Sequence, residues 1–318
     1  MYRALKTSAH LLVPCLIIGG MGVYLSSCSK NGDSSKQDAD TLAVYGDYQL
    51  HLDTSFVILD SILIDLSGDG TDEAMLTFGE RALQDDPMTA GSFQRLQVFQ
   101  YSDMDSLYKP MFVDVFDYGS NFYFRDVLNT GNPEIVVEVD AGGNNPILSR
   151  GIHIYGYRND NTFSLLFYSS GGNPEFEDLN DDGVQEILVT GEYWGTLERS
   201  ESITFTEEIY AFNGTSYAYA NSEFGGYFNA NITQLERQYR KTKRSAKSGD
   251  PGGELYKATI ELFLWVAAKG DAEGIDELWA KEKDLLRESI PFEQYNELQE
   301  FVRQAPQQYS GEPGQVVS

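Results

Sequence analysis

The sequence has little cysteine and histidine, with two Cys and three His among 318 residues. Cys15 and His10 lie in an N-terminal segment that has the pattern of a removable signal. A mature chain would then keep Cys28, His51 and His153. One cysteine cannot form an intrachain disulfide, and neither histidine lies in a motif with a partner residue. This scarcity excludes a disulfide framework and a cysteine metal site, and it argues against a histidine-based triad or zinc site.

Other signatures of chemistry are also missing. The chain has no phosphate loop, no Gly-x-Ser-x-Gly elbow and no Gly-x-Gly-x-x-Gly after a strand. Positive charge is scarce, since 23 Lys and Arg face 49 Asp and Glu for a net charge of −26. Such a surface repels nucleic acid and suits divalent cations or basic partners. A glycosidase needs only two carboxylates, so a carbohydrate-active or carbohydrate-binding protein stays open as an alternative.

Residues 1–27 have the pattern of a secretory signal. Arg3 and Lys6 precede an apolar run over 11–25, which is shorter than the about 20 residues of a membrane-spanning helix. The run ends in Leu-Ser-Ser-Cys, which resembles the lipobox of bacterial lipoproteins. The resemblance implies cleavage before Cys28 and attachment of lipid to that cysteine. An uncleaved signal anchor is the alternative.

The predicted location is therefore the cell envelope, where the lipid on Cys28 would hold the chain to a membrane. Ser29 resembles the outer-membrane sorting choice of bacteria with two membranes. Residues 28–41 contain no large apolar side chain and are predicted to be a flexible tether.

Residues 42–228 alternate short β-rich runs with Gly, Asn and Asp turns, and they repeat. Three segments align without gaps: "DLSGDGTDEAML" from Asp65, "DVLNTGNPEIVV" from Asp126 and "DLNDDGVQEILV" from Asp178. A second apolar element follows each segment, beginning at Val98, Ile154 and Ile209, with a spacing of about 55 residues. A period of this length is typical of a propeller blade. We expect a mainly β, propeller-like array of about three antiparallel blades, with one or two further strands from 42–52.

The acidic loops that open these segments have the ligand spacing of a calcium loop. Oxygen-bearing side chains fall at positions 1, 3, 5 and 9, a backbone carbonyl is available at position 7, and glycine stands at position 6. In the first loop these ligands are Asp65, Ser67, Asp69, Glu73 and the Thr71 carbonyl. In the third loop they are Asp178, Asn180, Asp182, Glu186 and the Val184 carbonyl.

The second loop keeps Asp126, Gly131 and Glu134 but has Leu128 and Thr130 at positions 3 and 5. We expect it to keep the turn without a metal ion. For the other two loops we predict structural calcium. The alternative is that all three are ordinary turns, because Asp, Asn and Gly favour turns without any ligand.

The loop followed by an apolar strand resembles the VCBS and FG-GAP repeat families. The resemblance covers about Asp65 to Phe224, and its motif is intact in the first and third loops. Phe-Gly and Gly-Ala-Pro elements are missing from their usual place, so VCBS is the closer family. The resemblance implies a calcium-stabilised, propeller-like scaffold that is usually extracellular and used for binding or adhesion. It implies no reaction.

Residues 229–318 have a different composition and are predicted to form a basic segment and a small α-helical domain. Helices are expected over 254–269, 271–289 and 290–304. The basic segment has six cations and no acid, namely Arg237, Arg240, Lys241, Lys243, Arg244 and Lys247. It could contact lipid headgroups, a glycan polymer or an acidic envelope protein, or it could be a solvated helix facing the protein's own acidic surface. The sequence therefore predicts a lipid-anchored binding or scaffold module.

Overall fold

The computed structural model describes residues 42–45, 48–51, 55–140, 149–158, 161–194, 203–246 and 253–308. These belong to one compact unit that begins at Thr41. The predicted signal, Cys28, the tether and Lys247 lie outside the described residues. None of the helices in these ranges is both long and apolar enough to cross a membrane.

Strands make up most of the described residues before 220. Within the described ranges they are β1 (Leu42–Tyr45), β2 (Tyr48–His51), β3 (Phe56–Ile64), β4 (Glu73–Glu80), β5 (Phe93–Ser102), β6 (Leu107–Arg125), β7 (Glu134–Asp140), β8 (Arg150–Arg158), β9 (Thr162–Ser169), β10 (Glu175–Glu177), β11 (Glu186–Trp194), β12 (Ile203–Phe212) and β13 (Tyr217–Tyr219).

Helices dominate the rest of the chain. A single-turn helix, α1 (Arg81–Gln84), lies among the strands, and a 3₁₀ turn (Asn221–Phe224) leads into the C-terminal region. The long helices are α2 (Gly225–Ala246), α3 (Gly253–Ala268), α4 (Ala272–Ser289) and α5 (Phe292–Gln308). The prediction of a mainly β chain with a C-terminal helical region is confirmed.

The strands form two sheets. In the larger sheet, β3 to β9 follow one another in chain order and pair antiparallel, while β2 joins beside β6 and pairs with β1. The smaller sheet has the order β10-β11-β12-β13. Strand β6 is 19 residues long, and its two ends serve different neighbours. Residues 107–115 pair with β5, residues 121–125 pair with β7, and Gly119 pairs with both strands.

The pairing divides the β region into three four-stranded layers. The first layer is β3, β4, β5 and residues 107–115 of β6. The second layer is residues 119–125 of β6 with β7, β8 and β9, and the third layer is β10 to β13. No ladder joins the third layer to the first among the described strands. Closure into a barrel or propeller is not detected among the described strands.

The layers stack because successive side chains of a strand point to opposite faces. In β4, Ala74 and Leu76 face a cluster that includes Tyr48 of β2, whereas Met75 faces the second layer. In β7, Ile135 packs in the same cluster as Met75 of the first layer, and Val136 faces the third layer. Strands covered on both sides are expected to be apolar at nearly every position, and β4 is buried from Glu73 to Gly79.

The helices cover the far face of the third layer. Leu188 of β11 and Ile209 of β12 pack against Phe228 of α2 and Ala268 of α3. Trp265 adds a hydrogen bond from its indole nitrogen to the Phe205 carbonyl, 3.0 Å away. The helices then form their own core from α2, α3, α4 and α5. The β layers and the helical region thus share a continuous apolar contact.

Two local signals set the turn between α3 and α4. Gly270 has φ +81°, which is the left-handed conformation that glycine accepts at a helix C-terminus. Asp271 caps α4 by accepting a 2.8 Å hydrogen bond from the Gly274 N–H, which holds the pKa of Asp271 below its usual value. The helices predicted over 254–269 and 271–289 likewise leave the break at residue 270.

Asn221 joins the third layer to the helices and generates a test of that junction. Its side chain is 1% exposed, accepts the Ile209 N–H at 2.6 Å and donates to the Ala268 carbonyl at 2.7 Å. Asn221→Ala leaves the Ile209 N–H unpaired and the Ala268 carbonyl with only the 3.3 Å bond from the Tyr219 hydroxyl, so we expect a loss of about 2–4 kcal/mol in the free energy of unfolding. Urea unfolding measures it. Asn229→Ala, at an exposed position of α2, is the matched control and should change it by less than about 0.5 kcal/mol. Equal effects of the two changes would contradict the junction.

Candidate metal-binding loops

The three acidic loops occupy equivalent places, each between the first and second strand of its layer. Neighbouring loops touch. The Asn132 side-chain amide donates to the Ser67 carbonyl at 3.3 Å, which joins the second loop to the first. The Gln185 N–H donates to the Val127 carbonyl at 2.9 Å, which joins the third loop to the second. The loops therefore line one edge of the stack in contact with each other.

The aspartate at position 1 holds the turn in every loop. Its Oδ2 accepts the N–H of the glycine at position 6, at 2.9 Å for Asp65 and Gly70, 2.8 Å for Asp126 and Gly131, and 2.9 Å for Asp178 and Gly183. The three glycines have φ between +85° and +89°, which side chains with a Cβ rarely adopt. The glycine predicted from the calcium-loop pattern is thus required by the backbone alone.

The glutamate at position 9 is buried in every loop. Glu73, Glu134 and Glu186 are 1%, 5% and 2% exposed. Each Oε2 accepts the N–H of position 2, at 2.7, 2.8 and 2.7 Å respectively. This hydrogen bond ties the start of the loop to the first residue of the strand that follows it.

Burial changes the acidity of these carboxyls. Desolvation raises the pKa of Glu134 and of Glu186 above the usual value, and nearby aspartates of the same loops add to that effect. Hydrogen bonds from the backbone oppose it without cancelling it. A bound cation beside such a carboxylate would favour its charged form.

The first loop leaves one buried oxygen without a partner. Glu73 Oε1 is inaccessible to solvent and has no hydrogen-bond donor among the described residues. In the third loop the corresponding Glu186 Oε1 accepts a 3.3 Å bond from the Asn180 side chain. A buried carboxylate oxygen normally has a donor or a cation beside it. The unpaired oxygen is what a cation at the first loop would satisfy.

The aspartate at position 1, the glycine at position 6 and the glutamate at position 9 form a hydrogen-bonded frame that the three loops share. The residue at position 5 adds one more hydrogen bond to this frame. Asp69 accepts the Thr71 N–H at 2.7 Å, and Asp182 accepts the Val184 N–H at 2.8 Å. In the second loop the Thr130 hydroxyl plays the same part more weakly, at 3.3 Å from the Asn132 nitrogen. The second loop keeps the same turn without an acid at position 5, so hydrogen bonds account for the shape of all three.

The ten predicted ligands lie in the first and third loops. In the described part of the chain, no three His, Cys, Asp or Glu groups stand close enough together to hold an ion. Calcium takes six to eight oxygens, including hydroxyl, amide, carbonyl and water oxygens. Ser67 and the Thr71 carbonyl supply such donors in the first loop, as Asn180 and the Val184 carbonyl do in the third. The donor types fit calcium, and exposed Asp69 and Asp182 can turn towards an ion.

The predicted basic residues lie in the second half of α2. Arg237, Arg240, Lys241 and Arg244 are exposed, and Lys243 is partly buried. Arg240 pairs with Glu236 of the same helix at 2.5 Å, and Lys243 pairs with Glu282 of α4 at 2.5 Å. Arg240 and Lys243 thus each pair with an acid of the protein's own helices.

Two polar clusters were not predicted from the sequence. Tyr239 and Lys243 meet the buried Glu282 between helices, where no motif marks them. His153 lies with its Nδ1 2.9 Å from the Tyr155 hydroxyl, which donates to Asp114. The sequence offers only the presence of His153 in an apolar strand as a signal. Burial lowers the pKa of His153, so the ring is held neutral among aromatic side chains.

A scan against models of protein families found no family that matches the chain. A search of curated proteins likewise found no matching sequence.

Glu134 gives a pH test of the loop frame. Because its pKa is raised from 4.5, the folded state keeps this proton to a higher pH than the unfolded chain does. The folded state then binds more protons in that window, so stability falls as pH rises through it. Glu134→Gln keeps an acceptor for the Val127 N–H but has no charge to desolvate. We expect the parent to lose free energy of unfolding relative to this variant from pH 4.5 upwards.

Urea unfolding across pH 4 to 8 in chelator would measure this difference. Glu288→Gln, at an exposed position of α4, is the control and should follow the parent at every pH. Parallel curves for the parent and Glu134→Gln would contradict the burial effect.

Proposed function

We propose that this chain is a lipid-anchored envelope protein whose calcium-stabilised, propeller-type layers act as a binding scaffold. The observation that carries the proposal is the recurrence of one loop frame three times along an edge, with surplus oxygen ligands in the first and third loops. Plain turns need the position-1 aspartate, the glycine and the buried glutamate, as the second loop demonstrates. They do not need Asp69, Asp182 and Asn180. These three residues add carboxylate and amide oxygens at the positions where calcium would bind.

The arrangement favours an open stack of three blades over a closed ring. The outer face of the first layer packs against Tyr48 of β2, and that of the third layer packs against helices. Each end of the stack is therefore covered by another element of the chain. The likeness to VCBS repeats supports propeller-type blades without requiring closure.

Calcium in this proposal is structural. Each ion would join the two ends of a loop that already touches its neighbour, so ordering one loop restrains the next. At a calcium concentration about 100 times Kd, one site adds about 2.7 kcal/mol to folding. This stabilisation would matter in a domain with no disulfide, and the ion would offset the repulsion between aspartates.

The partner of the scaffold is proposed to be an envelope protein or a glycan, and the membrane attachment is through Cys28. A carbohydrate-binding or carbohydrate-active role is the second candidate. One cavity of about 550 Å³ favours it, since Trp279, Asp276 and Glu300 lie together in its lining between α4 and α5. Glu300 is nevertheless tied to Arg303 by an ion pair, which occupies one of the two carboxylates.

A thermal melt tests the calcium sites. The full chain in detergent would be heated in chelator and in millimolar calcium, and we expect calcium to raise the melting temperature. Asp69→Ala and Asp182→Ala should each reduce that rise by about half, because each removes a ligand from one of two sites. The calcium-dependent increment is the readout, since both variants also lose a turn hydrogen bond in chelator.

Matched controls carry the same charge change beside the ligand positions. Asp72→Ala in the first loop and Asp181→Asn in the third lie outside positions 1, 3, 5, 7 and 9, and they should keep the full increment. Asn is chosen at 181 because that residue has φ +60°. No increment in the parent, or an equal reduction in the controls, would reject calcium in these loops.

Lipidation has a separate test. In a bacterial host supplied with labelled palmitate, the parent should take up label and fractionate with membranes. Cys28→Ala should lose the label, because the thiol is the acceptor of lipid. Cys15→Ala is the control and should be labelled like the parent. Equal labelling of Cys28→Ala would refute the anchor while leaving the calcium sites untouched.

A further inference from the structure

A cavity of about 380 Å³ lies among helices α2, α3 and α4, apart from the acidic loops. Leu262 of α3 and Leu278 of α4 give it an apolar part. Its remaining walls are charged or aromatic and comprise Glu236, Tyr239, Arg240, Lys243, Arg244, Lys281 and Glu282. The cavity therefore collects four cations within a chain whose net charge is −26.

Both carboxylates in the cavity are already matched. Glu282 is 3% exposed, accepts the Tyr239 hydroxyl at 2.9 Å and pairs with Lys243 at 2.5 Å. Glu236 pairs with Arg240. Burial and the charge of Glu282 raise the pKa of Tyr239, so its hydroxyl remains a donor. The buried wall of the cavity is therefore one carboxylate, that of Glu282, held by Tyr239 and Lys243.

Two of the four cations that line the cavity are not matched by a carboxylate there. Arg244 of α2 and Lys281 of α4 are exposed, face the same cavity from different helices and have no ion pair among the described residues. A helix that served only to neutralise the protein's own acids would pair them, since the chain has a large surplus of carboxylates. The cavity mouth instead keeps a charge of about +2 beside apolar side chains.

This combination selects a ligand chemistry. A phosphate monoester carries about −1.5 to −2 charges at pH 7, which matches the surplus. A guanidinium binds phosphate through two parallel hydrogen bonds, and a lysine adds a mobile point charge. The volume is at the small end for ligand cavities, which run from about 300 to 1,000 Å³. It suits a phosphate with a small organic group.

We propose that this cavity binds a phosphate monoester, with the phosphate between Arg244 and Lys281 and the organic group against Leu262 and Leu278. The source is either the headgroup of a lipid such as phosphatidate or a soluble phosphorylated compound. The proposal goes beyond the scaffold function and does not depend on the calcium loops.

Calorimetric titration of the full chain in neutral detergent tests the proposal. The probes are inorganic phosphate, glycerol 3-phosphate, dihexanoyl phosphatidate and glycerophosphocholine. We expect one saturable site for the monoesters, tighter binding of glycerol 3-phosphate than of inorganic phosphate, and no binding of the diester. Tighter binding of phosphatidate than of glycerol 3-phosphate would identify the lipid as the source, and equal or weaker binding would identify the soluble compound.

Two double variants separate a site from general attraction. Arg244→Gln with Lys281→Gln should weaken glycerol 3-phosphate binding at least about tenfold, which corresponds to about 1.4 kcal/mol. Arg237→Gln with Lys241→Gln removes the same charge from exposed positions of α2 that do not line the cavity, and it should change affinity less than about twofold. All four side chains are solvent-exposed, so the melting temperature should stay that of the parent.

Binding that is absent in the parent would overturn the proposal. Equal weakening in both double variants would also overturn it, because the attraction would then be unspecific. Should the cavity variant melt lower than the parent, Lys281→Gln alone provides the measurement, with an expected loss of at least about threefold. An unchanged affinity in that single variant would count against the site.

Discussion

The central strands of each layer of the β region are covered on both faces, and this constraint governs the rest of the molecule. A central strand such as β4 must supply side chains to two different cores, because its odd and even residues point in opposite directions. Strands β7 and β11 do the same for the next two interfaces. The two outermost faces then need other elements to cover them. Strand β2 contributes Tyr48 at one end, and α2 and α3 pack at the other.

The acidic loops are consequences of that stacking as well as candidate ion sites. Because equivalent strands are superposed, the loops that join them come to lie in a row and to share hydrogen bonds. The frame of each loop depends on a buried glutamate whose charge is costly to desolvate. A cation at the loop would relieve that cost in the first and third loops. The second loop keeps the frame with Leu128 at position 3 and Thr130 at position 5, where the other two loops have an oxygen-bearing side chain and an aspartate.

The sequence predicted those features that depend on local chemistry. The loops, the β-rich repeat, the turn at Gly270 and the cap at Asp271 each arise from residues close together in the chain. The continuity of β6 was not predicted, because Gly119 and Ser120 resemble a turn between strands. In the structure the Phe93 ring occupies the space beside Gly119 that a Cβ would fill, so glycine serves packing there.

Contacts between distant elements also escaped prediction. Glu282 lies in a run of charged residues that is typical of an exposed helix face, yet it is buried against Tyr239 and Lys243. Helical spacing places Glu282 on the face of α4 that carries buried Ile275 and Leu286, but its partners come from α2, and no local pattern predicts them. His153 acquired Tyr155 and Asp114 as neighbours for the same reason, since Asp114 comes from another layer.

The length of β6 has a consequence for how the molecule would come apart. The first two layers are built on one unbroken strand, so the backbone offers no hinge at which they could separate. The third layer shares an apolar core with the second, but the chain links the two only through residues 170–174, and the third layer is also tied to the helices on its other side. Under mild denaturation, the molecule should therefore divide into two cooperative blocks, with the first two layers in one and the third layer and helices in the other.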